Sequence, residues 1–88
     1  MTSQDYKMLA DVMGHAFAIA GVRGDENTRS LVYDACYTPL VQALKQENPH
    51  FDQTHFSYNA AVAEGKWLEA HDRGDNIGAV KPEWIYKS

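Results

Sequence analysis

The feature that most constrains this chain is the stretch Asn48-Pro49-His50-Phe51-Asp52-Gln53-Thr54-His55-Phe56, where several independent local rules point to one event. Asp52 is placed to accept a hydrogen bond from a backbone N–H two or three residues on, and Pro49 keeps the residue before it out of helix. Phe51 then precedes the cap and Phe56 takes the fourth helical position, the two places where a hydrophobic staple closes over a helix start. A helix begins at residue 53.

What precedes this start reads as two helices. Thr2 and Ser3 are caps for the first, in which Tyr6, Leu9, Met13, Ala16 and Ala20 recur at spacings of three and four, flanked by Val12 and Ile19. Gly14 with the alanines at 16, 18 and 20 lowers the bulk of its second half, so a neighbouring helix can approach closely. Gly21 and Gly24 end it as left-handed C-cap residues. Asp25 or Asn27 caps the second helix, whose buried side is expected to be Leu31, Val32, Ala35, Cys36, Leu40, Ala43 and Leu44, with Tyr33 and Tyr37 beside it. Pro39 lies inside that pattern, where it removes a backbone donor and clashes with the carbonyl of Ala35, at about 3 kcal/mol in a regular helix. The second helix therefore kinks or breaks near residues 35 to 39.

Beyond the helix start, Phe56, Ala60, Ala63, Trp67 and Ala70 keep a helical spacing through Gly65, which predicts one helix in place of two. The expected architecture is all-α: a small three-helix domain with a kinked second helix, helices at about 3–20, 26–46 and 53–71, and an irregular apolar C-terminal extension over 72–88. Arg-Gly-Asp occurs at residues 23–25 and 73–75, each time after a predicted helix, and reads as a helix end.

Eighty-eight residues make one domain with one thin core. The net charge of −4 comes from interspersed acidic and basic residues, and no window gathers the Lys and Arg that nucleic-acid binding requires. The single cysteine excludes an internal disulfide, and no window approaches the roughly 20 apolar residues of a membrane span, so a soluble cytoplasmic chain is expected. His50, Asp52 and His55 do not have the spacing of a helical metal pair, and Asp52 is occupied as a cap. Cys36 falls on the predicted apolar side of the second helix with nothing basic beside it, which marks a buried structural thiol. The residues thus predict no catalytic set, no metal and no cofactor. Five Tyr, three Phe and two Trp are more aromatic surface than a thin core covers. Tyr33, Tyr37, Tyr58, Trp84 and Tyr86 are the candidate partner-binding residues, since Tyr and Trp are enriched at binding hot spots.

The stretch from Asn48 to Phe56, after a helix ending Leu44-Lys45-Gln46-Glu47 and with an early Tyr6, resembles a pattern in small uncharacterised bacteriophage and prophage proteins, Asn-Pro-x-Phe-Asp-x-x-x-Phe. The resemblance covers residues 6–60. Two departures are His55, in place of an acidic capping-box residue, and the 28 residues that follow position 60. The resemblance implies a phage origin and carries over no catalytic residue. With the missing catalytic set, it implies a non-enzymatic accessory protein that binds and inhibits a host protein, such as a component of an antiviral defence system. Two alternatives come from the residues: a homodimeric structural or assembly module that buries the same aromatics, and a small enzyme dependent on Cys36 or on a metal at His55.

Overall fold

The computed structural model describes residues 2–74, which form an all-α domain of three helical segments. The first, α1, spans Ser3–Arg23. The second is composite: α2 (Glu26–Val32), a π-helical turn (Tyr33–Tyr37) and α3 (Thr38–Glu47) follow one another with helical backbone angles at both junctions. The third, α4, spans Gln53–Asp72 and passes through Gly65 as one helix. Trp84, Tyr86 and the rest of the expected extension lie outside the described residues.

The start of each of the three segments is fixed by a side chain. Thr2 accepts from the Asp5 N–H while Asp5 accepts from the Thr2 N–H, and Asp25 and Thr28 form the same reciprocal box at α2. Asp52 accepts from the His55 N–H at 3.0 Å, and the rings of Phe51 and Phe56 meet edge to face at 5.4 Å. The cap and staple expected at the third helix are both present. α1 continues three residues past its expected end, and Gly24 closes it with φ −119°, not in the left-handed region. Space is what this glycine supplies: a Cβ here would lie 2.5 Å from the Thr28 hydroxyl that completes the α2 box.

α1 and α4 run in the same direction, and the second segment returns between them. Tyr6 sits 5.4 Å from Phe51 at one end, a Cβ on Gly14 would meet Ala60 and Ala63, and Ala18 clusters with Trp67 and Ala70 further along. The returning segment is tied to α4 in reverse order, Arg29 to Glu64 and Tyr37 to Ser57. The main core comprises Ala10, Met13, Phe17, Tyr37, Val41, Leu44, Phe56 and Ala60, with Tyr6, Leu9, Val32, Leu40 and Phe51 packed on it. Because α1 packs against two neighbours, its buried surface is wider than the single stripe expected. Ala10 and Phe17 join it, whereas Val12 is left 38% exposed.

The second segment departs most from expectation, and the π turn is the reason. The Thr38 N–H bonds to the Tyr33 carbonyl, five residues back, which widens the helix just before Pro39 enters the first turn of α3. A missing N–H is best tolerated in such a first turn. In a regular helix Val32 and Tyr37 would point roughly 140° apart, because five steps of about 100° overshoot one turn. Here both pack on the main core. The change of register turns Leu31, Ala35, Cys36 and Ala43 outward, so the expected burial of these four is corrected, and Cys36 is an exposed thiol.

Candidate partner-binding surface

Among the described residues, three surfaces combine exposed or cleft-forming aromatic groups. The first is a cleft of about 450 Å³ at the end of the molecule where α1 and α4 begin, walled by Tyr6, Phe51 and Phe56 with His50, His55 and Asn59 around it. The loop that shapes it is organised by Asn48, whose side-chain oxygen accepts the His50 N–H at 3.0 Å and whose carbonyl accepts the Phe51 N–H at 3.0 Å. Asn48 also donates to the Tyr6 hydroxyl at 3.4 Å, joining the loop to α1. Both helix starts here are served by the chain's own Thr2 and Asp52. The cleft therefore offers aromatic walls and a polar margin, in the size range of about 300 to 1,000 Å³ common for ligand pockets.

The second surface is built on an aromatic ladder. Phe56, Tyr37 and Tyr33 follow one another with ring centroids 6.0 and 5.0 Å apart, and Phe17 flanks the last two at 5.7 and 6.2 Å. The ladder starts in the core and ends at the surface: Phe56 is 2% exposed, Tyr37 3% and Tyr33 46%. Tyr37 does not belong to an exposed patch, as the sequence suggested. The π turn rotates it inward, and its hydroxyl hydrogen-bonds with the Ser57 hydroxyl. Arg29 closes the other side, with its guanidinium 5.1 Å from the Phe17 ring centroid and two hydrogen bonds to the Glu64 carboxylate at 2.9 and 2.8 Å. That pairing raises the Arg29 pKa, first through the hydrogen bond to Glu64. Leu31, 64% exposed, lies two residues before Tyr33 and so on another side of the helix.

The third surface is the outer side of α4, where Tyr58 is 65% and Val62 38% exposed. Of the five aromatic residues expected to bind a partner, the structure thus places Tyr33 and Tyr58 at the surface on different helices, buries Tyr37, and leaves Trp84 and Tyr86 outside its described residues. Sequence reasoning missed Leu31 as a surface residue and Phe17 as the hub of the ladder. The spacing of Phe17 from Met13 and Ala10, four and seven residues, carried that signal.

Among the described residues, no three His, Cys, Asp or Glu side chains come together as a metal-holding group. No described helix is long and apolar enough to cross a membrane. No family model matches the chain, and no curated protein or solved structure matches it.

Proposed function

We propose that this chain is a non-catalytic accessory protein of phage type that binds a host protein, and that Tyr33 forms the centre of the binding surface. The observation that supports this reading is the way Tyr33 is held. An aromatic side chain that is half exposed and stacked on the buried Tyr37 at 5.0 Å has already lost most of its rotamer freedom before any partner arrives. Ordering an interfacial side chain costs about 0.5 to 1.5 kcal/mol, and a ring fixed in advance avoids most of that. The target class is a host protein that the chain would block by occupying its surface, such as a component of an antiviral defence system.

The test is capture of bacterial proteins on the immobilised full chain, with wild type, Tyr33→Ala and Tyr33→Phe in parallel. The expected result is a discrete bound protein that Tyr33→Phe retains and Tyr33→Ala loses. Equal capture by wild type and Tyr33→Ala would remove this surface from consideration.

A further inference from the structure

We infer that the outer face of α4 is a homodimer contact in which two copies pair antiparallel, with Val62 of each seated over Gly65 of the other. Tyr58, Val62, Gly65 and Glu69 recur at spacings of four, three and four, which aligns them along the side of α4 opposite the buried Ala60, Ala63 and Trp67. Among the described residues nothing requires a glycine at 65: a Cβ there would meet none of their atoms within 4 Å. A glycine inside a helix is unfavourable relative to alanine, and no described neighbour accounts for it. Gly14, by contrast, lies where α1 packs directly on α4.

The pattern of the face selects a second copy as its occupant. When α4 is laid antiparallel on itself about a two-fold axis midway between Val62 and Gly65, each side chain meets a complement. Val62 fills the hollow over Gly65 of the second copy. The Tyr58 hydroxyl faces the Glu69 carboxylate, and the His55 imidazole faces the Asp72 carboxylate, each pair occurring twice. His55, Gly65, Glu69 and Asp72 are all exposed, so none is withdrawn from such a contact. The spacing is that of an antiparallel two-helix seam, in which side chains of one helix enter the gaps of the other. On the flank, exposed Ala61 faces the partly buried Leu68 of the second copy. The seam is narrow, below the roughly 1,200 Å² of a standard interface, so a weak pairing is expected, with a dissociation constant on the order of 10 to 100 µM. This face is separate from Tyr33 and Leu31, and the inference does not depend on host binding.

Sedimentation equilibrium of the purified full chain from about 10 µM to about 1 mM tests it, since that range brackets the expected constant. The expected result is a monomer–dimer equilibrium that Gly65→Lys abolishes, with an unchanged helical circular dichroism spectrum because position 65 faces open space. His55→Asp sets two carboxylates face to face and weakens the dimer by about tenfold or more, and His55→Asp/Asp72→His restores it. A monomer at every concentration overturns the inference, as does a dimer indifferent to Gly65→Lys. A dimer that the double charge exchange fails to restore overturns the antiparallel register.

Discussion

Gly14 of α1 sits directly against Ala63 of α4: a Cβ on Gly14 would lie 2.6 Å from the Ala63 Cβ and 2.6 Å from the Ala60 carbonyl oxygen. Two helices running in the same direction are locked together at that point, and the rest of the molecule is arranged around them. Gly14→Ala forces the new methyl against the backbone of Ala60 and Glu64 and the Cβ of Ala63, with no flexible side chain to give way. We expect a loss of about 1 to 3 kcal/mol and a thermal midpoint several degrees lower. An unchanged midpoint would mean that the helices separate freely.

The same substitution at Gly65 has the opposite sign. With open space around the position, Gly65→Ala removes the conformational cost of a mid-helix glycine and adds no clash. Urea denaturation of the dilute monomer should show a gain of about 1 kcal/mol. A loss there would place an unrecognised close neighbour at Gly65.

Tyr33 and Tyr37, one position of the aromatic ladder apart, separate packing from surface. Tyr37→Phe removes the hydrogen bond with Ser57 and costs about 1 kcal/mol. Tyr37→Ala empties a core position and costs about 3 to 5 kcal/mol, enough to unfold much of a domain this small. Tyr33→Ala, at a half-exposed site, should cost less than half as much. Equal effects at the two positions in the same denaturation assay would contradict the ladder's passage from core to surface.

Arg29 joins α2 to α4 through a two-point contact with Glu64, whose side chain is 15% exposed against 45% for Arg29. A lysine cannot reproduce the fork or lie flat over Phe17. Arg29→Lys is expected to cost about 1 kcal/mol, a figure that allows for solvent screening at the exposed guanidinium. Added salt should narrow the difference between wild type and Arg29→Ala. A lysine variant as stable as wild type would reduce the contact to simple charge pairing.

The carboxylates give a pH dependence with a definite direction. Asp5 is held below its ordinary pKa chiefly by the hydrogen bond from the Thr2 backbone, and Asp25 chiefly by that from the Thr28 backbone. Their contribution is therefore present above the ordinary carboxylate value, about 4, and is lost as the pH falls through the lowered folded values. Asp11 acts in the other direction: burial raises its pKa, and Lys7 and Lys66 offset this only in part. Its stabilising contribution is full below the ordinary value and is lost as the pH rises through the raised one. Stability measured from pH 7 to pH 2 should fall less steeply in Asp5→Asn/Asp25→Asn. Asp11→Asn should be at least as stable as wild type at pH 7 and lose any advantage in acid. A double variant that follows the wild-type slope would show that the caps do not set acid sensitivity.

These predictions rest on elements whose visibility in the sequence differed for physical reasons. Helix starts were legible because a cap is local: Thr2, Asp25 and Asp52 act within three residues, and Phe51 with Phe56 within five. The third helix was legible because Phe56, Ala60, Ala63, Trp67 and Ala70 form a single buried stripe at one helical spacing. α1 was harder to read, since burial against two helices spreads its apolar residues and hides Phe17 among the alanines. The second segment misled because Pro39 announced an irregularity without stating its form. A kink preserves the order of faces, whereas a π turn changes it, and Cys36 and Tyr37 exchanged places for that reason. The aromatic surplus pointed to Tyr33 and Tyr58 correctly as surface residues, but composition carries no information on which helix would present each.

The widened turn at Tyr33–Tyr37 also decides how this chain can vary. Two stretches of helix that are out of phase have been spliced without a loop, so the residues before and after the splice keep separate reading frames against α1 and α4. Insertions or deletions of one residue are ordinarily ruinous inside a helix, because they swing everything downstream away from its contacts. Here the splice already absorbs one such step. Removing it would put Val32 and Tyr37 out of phase, so that both could no longer face the core, and would pull Arg29 of α2 away from Glu64 of α4.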